Sequence, residues 1–178
     1  MTAPQFLTEE QKRKFAHLHA AHAVAALKLC KRRQLVRVSL VSSFGAPGSV
    51  ETKPLPGKPL STLDDLLIDL RVALSSRAAE ELFFGSESVE ESATFVQPLR
   101  MSQAIIARLG LPRAEAELVS ENLGFARQFV EENRQAILAV ATALLERSLL
   151  SGKEAEALVN SLNQQLLPAA DSGSEPED

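Results

Sequence analysis

All three histidines of the chain fall between residues 17 and 22: His17, His19 and His22. A zinc hydrolase needs two His one helical turn apart, so that both rings reach one metal. It also needs a Glu beside the first His to activate the bound water. His19 and His22 are three residues apart, and on a helix such a pair shares a face. The competing expectation is that His22 packs on an apolar face and hydrogen-bonds a neighbour. His17 falls on another side and is expected to face solvent. Cys30, the sole cysteine, excludes an intrachain disulfide and a Cys-based zinc cluster. Beside Lys28 and Lys31 it could be a reactive thiol, but no catalytic dyad is legible, and a buried structural role is expected. Glu80 and Glu81 read as ion-pair partners of Arg77 and of the first helix rather than as catalytic carboxylates. Gly57-Lys58-Pro59 lacks the preceding glycine and the Ser/Thr of a nucleotide-binding P-loop, so no ATP site is expected.

The elements that would carry these residues are mainly helical. Residues 8–31 form a helix, opened by Thr8 with Gln11 as capping partner, with Phe15, Leu18, His22, Ala25 and Leu29 at helical spacing. The alternating Leu35–Val41 predicts a strand, Gly45–Gly48 a turn and Val50–Lys53 a short return strand. That ribbon could offer an edge to an extended peptide. Ser61, with Asp64 three residues on, predicts the next helix, with Ser75-Ser76 as a point of kink or break and Gly85 as its stop. A helix from about Ala93 to Leu109 follows, interrupted or delayed by Pro98. Residues 113–149 predict one long helix, bent if anywhere near Gly124. Ser151 and Glu154 form a capping box for a last helix ended by Pro168.

Composition limits the functional classes. At 178 residues with 45% apolar content the chain can bury one core. We assign residues 1–167 to one domain and 168–178 to a disordered acidic tail. That tail holds four of the 23 acids and no base, which leaves the body balanced at 19 of each sign. A nucleic-acid binder would carry a basic excess. No apolar run reaches the roughly 18 residues of a membrane span, and the N-terminal stretch lacks a secretory apolar core, so a cytoplasmic protein is expected. Lys28, Lys31, Arg32, Arg33 and Arg37 form the one basic cluster. It reads as cations at a helix C-terminus, or else as a docking site for an anionic partner.

Four stretches, in order, resemble the peptidase domain of FtsH (peptidase family M41). His19-Ala20-Ala21-His22-Ala23-Val24 is similar to the family's HEAGHAV helix. Arg77-Ala78-Ala79-Glu80-Glu81-Leu82-Phe83-Phe84-Gly85 is close to its GGRAAEE-x-x-FG, with Ser75 and Ser76 in place of the two glycines. The distance from Gly85 to Gly110-Leu111 matches the family's spacing to a WGM-like turn. Glu131–Arg134, Ala143–Arg147 and Ser151–Glu154 resemble its ENR…ALLE…GxE ending. The stretch between Gly110 and Ala126 looks shorter than in the family. The resemblance covers about residues 13–160 and implies a mainly α fold, an M41 peptidase-like helical domain with one small β-ribbon after the first helix.

The resemblance also implies a site. Aligning His22 with the second His of HExxH puts Leu18 at the first His and His19 at the catalytic Glu. Nine residues after Gly85, Thr94 falls at the family's third ligand, an Asp. Leu18 cannot bind a metal, Thr94 is a poor zinc ligand, and His19 differs from Glu in reach and charge. The remnant set is therefore Leu18, His19, His22, Glu80 and Thr94, with no catalytic residue and no metal expected. The expected function is a non-catalytic pseudo-peptidase that binds a protein or peptide, a working protease among the candidate partners. The alternative is an M41 metallopeptidase holding zinc through rearranged ligands: His19, His22 and Glu80, the last because its family counterpart lies near the zinc. Family ATP dependence does not transfer to these residues.

Overall fold

Capping chemistry sets where the helices begin. A computed structural model of the chain describes residues 7–41, 48–57, 62–85, 93–110 and 115–165, with only the backbone described at 93–95, 109 and 163–165. The expected acidic tail lies outside these residues. Helix α1 (Glu9–Leu29) starts on the expected box, the Thr8 side chain accepting from the Gln11 amide and the Gln11 side chain accepting from the Thr8 amide. Helix α2 (Leu63–Phe84) starts one residue later than expected. Thr62 is its cap and Asp65 its partner, because Asp65 caps the helix and also reaches Arg32 at 3.0 Å. The helix runs unbroken through Ser75-Ser76, where the Ser75 hydroxyl bonds back to the Val72 carbonyl and the Ser76 hydroxyl to the Leu18 carbonyl.

Strands β1 (Arg33–Ser39) and β2 (Ser49–Pro54) pair antiparallel, β1 beginning two residues ahead of the expected strand and shifting register between Leu35 and Arg37. A third strand, β3 (Leu149–Ser151), pairs with the other side of β1 and turns the expected ribbon into a sheet of order β2-β1-β3. β1 is therefore central and offers no edge; among the described residues the outer strands of the sheet are β2 and β3. Helix α3 (Ala93–Leu109) contains Pro98 and packs on α2.

The expected long helix of residues 113–149 is two: α4 (Glu115–Glu132) and α5 (Arg134–Arg147). The break is at Asn133, with φ −105° and ψ 15°, and its side-chain amide donates to the Phe129 carbonyl at 2.8 Å. Gly124 sits inside α4 without a break. Splitting the helix lets α4 pack on α2 while α5 packs on α1. Ser148, at φ +61°, closes α5 by donating to the Leu144 carbonyl, and its own carbonyl accepts from Leu40, which starts β3 beside β1. Helix α6 (Gly152–Gln165) then packs on α5 and β1. A Cβ on Gly152 would stand 1.9 Å from the Leu35 carbonyl oxygen, so only glycine fits this crossing.

α1 lies at the centre. Ala16, Ala20, Ala21, Ala23 and Ala25 are fully buried and small, which lets α2 and α5 approach it closely. His17 is not solvent-facing as expected. It is 8% exposed, packed against the rings of Phe83 and Phe84, and its Nδ1 donates to the Arg13 carbonyl. The apolar end of α2 needs a neighbour there, and a neutral imidazole supplies one with its single donor satisfied locally.

The helices are cross-linked by charge. Arg77 is fully buried and bonds Glu80 at 3.2 Å and Glu81 at 3.1 Å. Glu80 also binds Lys14 of α1 at 2.8 Å, and Glu81 binds Arg127 of α4 at 2.7 Å. Arg37 and Glu51 form an exposed pair across the sheet. Breaking a buried pair leaves a charge without its counterion, whereas breaking an exposed one leaves a hydrated group. In urea unfolding, Glu80→Ala is expected to cost about 3 kcal/mol, with Glu81 still beside Arg77 to limit the loss. Arg37→Ala should stay within about 1 kcal/mol. Equal, small effects would contradict a network that holds the helices together.

Candidate functional site

The alanine face of α1 packs so closely on α2 that the larger side chains at its other turns must line an opening. A cleft of about 440 Å³ forms there. α1 supplies Phe15, Leu18, His19 and His22 to its wall, α2 supplies Asp69, Val72, Ala73 and Ser76 on successive turns, α3 supplies Gln97 and Met101, and the sheet supplies Arg33, Val50 and Thr52. Three of the residues singled out by sequence, Leu18, His19 and His22, are brought together. Leu18 is buried, and its carbonyl is held by Ser76.

His19 stacks on Phe15, ring centroids 6.1 Å apart, and its Nε2 faces Gly48. A Cβ at Gly48 would come within 2.9 Å of that nitrogen and 2.2 Å of the Ser39 carbonyl oxygen, and Gly48 has φ +92°. Both the space and the backbone angle require glycine there. His22 is half-buried on the cleft wall. Burial, and then the charge of His19, pull its pKa down from 6.5 to about 4, so the ring is neutral at physiological pH.

Glu80 is not brought to the cleft. It is 3% exposed and held by Lys14 and Arg77. To join His19 and His22 around a metal it would have to leave both cations, stranding Arg77 in the core. Thr94 lies in α3, one turn ahead of Gln97, which does line the cleft; its side chain is outside the described set. Among the described residues no three of His, Cys, Asp and Glu come together so as to hold a metal ion.

The far end of the cleft was not legible in the sequence. Cys30, Arg33 and Asp69 meet there, Arg33 and Asp69 paired at 3.3 Å. Burial, and then Asp69, push the Cys30 thiol up to about 11, which suits the structural reading of this cysteine and leaves almost no thiolate at neutral pH. Burial raises the Asp69 carboxyl against the pull of Arg33. The basic run is not a free patch: Arg32, Arg33 and Arg37 are each paired, with Asp65, Asp69 and Glu51. Pairs separated by more than thirty residues, such as Arg33 with Asp69, leave no local pattern to read.

No protein-family model matches the chain. Among curated proteins it is similar to the ATP-dependent zinc metalloprotease FtsH of Chloroflexus aggregans, 27% identical over 94% of this chain and 32% of that protein. It is similar to ATP-dependent zinc metalloprotease FtsH 1 of Sorangium cellulosum, 29% identical over 85% of this chain and 30% of the relative. It is also similar to the mitochondrial inner membrane m-AAA protease component yta12 of Schizosaccharomyces pombe, 24% identical over 86% of this chain and 24% of the relative. The chain thus spans a third or less of the length of these relatives. Among the described residues no helix is long and apolar enough to cross a membrane. The order of motifs, the helical fold around the α1–α2 cleft and these similarities converge: the chain is a relative of the FtsH-type zinc metalloproteases at their M41 peptidase domain.

Proposed function

We propose that this domain is a pseudo-peptidase, a non-catalytic M41-like module that binds an extended protein or peptide segment in the α1–α2 cleft. The observation that carries the reading is the cleft wall itself, which Leu18, His19 and His22 line together; the resemblance puts Leu18 at a ligand position and His19 at the position of the base. A zinc-bound hydroxide needs three protein ligands and an open position, and of the family's positions only His22 keeps its residue type. The free edge of β2, whose Val50 and Thr52 line the same cleft, supports binding of an extended chain. The occupant is a protein or peptide partner, a working protease among the candidates, and the cytoplasm is the proposed compartment. A rearranged zinc site is favoured only by the shared position of His19 and His22, and it requires Glu80 to abandon Lys14 and Arg77.

Unfolded casein incubated with the purified chain tests the reading. Fluorescence anisotropy should report binding, and gels should show intact casein after prolonged incubation with added zinc. Cleavage that a chelator blocks and His22→Ala abolishes would establish the metallopeptidase instead, and casein that neither binds nor is cut would also overturn the proposal.

The neutral histidines carry a pH signature. Burial, against the hydrogen bond to the Arg13 carbonyl, keeps His17 below its ordinary value, and His22 sits at about 4. Both folded values lie below 6.5, so the unfolded chain binds more protons between about pH 6.5 and 4. Stability from these rings is complete above that window and is lost as pH falls through it. Thermal melts should therefore drop between pH 7 and 5, and His22→Gln should flatten the drop. A melting temperature that holds or rises on acidification would contradict the neutral burial of these rings.

A further inference from the structure

We propose that Arg33, at the far end of the cleft, is the anchor for a carboxylate carried by the bound segment. The inference rests on the binding mode of the preceding subsection and adds the chemistry and the placement of the occupant.

Arg33 is paired, but through one nitrogen. Its Nη2 stands 3.3 Å from Asp69, and among the described residues its Nε and Nη1 make no ion pair or hydrogen bond. A guanidinium carries five N–H donors in a planar fork, and two of them grip one carboxylate. This chain already shows one guanidinium holding two carboxylates, Arg77 with Glu80 through Nη1 and with Glu81 through Nε. The Arg33 side chain is 37% exposed and lines the cleft, so a ligand there can reach it.

The local charge favours an anion. The small hollow beside Arg33 is lined by Lys31, Arg32 and Arg33 against Asp65 and Asp69, one positive charge in excess. Along the described cleft wall Asp69 is the one carboxylate, and His19 and His22 add imidazoles rather than acids. An incoming carboxylate therefore meets donors and a surplus cation, whereas an ammonium would have to compete with Arg33 for Asp69.

Strand register places that carboxylate. Arg33 stands opposite Pro54 at the end of the β1–β2 ladder. Pro54 has no N–H, so β2 gives an added segment no donor at this point. Among the described residues β2 pairs with β1 alone, and a segment along its other side would reach its last rung beside Arg33. A segment parallel to β2 would present its C-terminal carboxylate there, and an antiparallel one an Asp or Glu side chain.

The test uses the full chain, labelled for NMR at neutral pH, and three synthetic acetylated six-residue peptides of alternating Val and Thr. One ends in a free carboxylate, one is amidated, and one is amidated with Asp as its first residue. A carboxylate peptide should bind at least about tenfold tighter than the uncharged one, the low end of the gain for a hydrogen bond to a charged group. It should also shift the Arg33 Nε–H resonance. Preference for the free C-terminus assigns the carboxylate to a parallel segment, and preference for the Asp peptide to an antiparallel one; either result sustains the anchor. Arg33→Gln should remove the preference, and because the Arg33–Asp69 pair is partly exposed the variant should stay folded. Arg33→Lys, which keeps the charge without the fork, should recover it only in part. Equal affinity for all three peptides, with shifts along β2, would overturn the anchor while leaving strand capture in place. Binding of none would overturn both. A preference that persists in folded Arg33→Gln would overturn the role of Arg33 and move the carboxylate to the imidazole end of the cleft.

Discussion

A guanidinium is sealed in the core of this domain. Arg77 has no solvent exposure, so its charge must be matched within the fold. Two carboxylates one turn along α2, Glu80 and Glu81, match it, and each passes the constraint outward, Glu80 to Lys14 on α1 and Glu81 to Arg127 on α4. Three helices are thereby held in one register. That register sets Ser76 against the Leu18 carbonyl and places the α1 side chains on the cleft wall.

The same constraint sets the residues of the frame apart from those of the cleft wall. Alanines along α1, the capping boxes of α1 and α2 and the glycine crossing of α6 over β1 need particular residues for packing reasons alone. The residues that face the cleft are free of those demands, and Leu18 is one of them, buried on its wall with only its carbonyl held, by Ser76. Glu80 is the opposite case. Its carboxylate is committed to Arg77 and Lys14, so it is structural before it can be anything else.

Much of this was legible before any coordinates. The Thr8 box, the stop at Gly85, the last helix with its Ser151 cap and the family resemblance follow from local patterns that survive in one dimension. What escaped was long-range or lacked a period. Asn133 divides α4 from α5 through one side-chain bond to Phe129, where glycine-based reasoning pointed to Gly124. β3 is three residues long and is defined by its partner β1, which it also turns from an edge into a centre. His17 is buried because Phe83 and Phe84, more than sixty residues away, close over it. At the site, the histidines and Leu18 were visible from sequence, whereas the Arg33–Asp69 end and the removal of Glu80 from the cleft required the fold.

The claim that the zinc position has been given up is tested most directly by elemental analysis of the purified, folded chain after dialysis against buffer containing trace zinc. Zinc is expected far below one atom per chain, unchanged in His22→Ala. One zinc per chain, lost in His22→Ala while the variant stays folded, would contradict it.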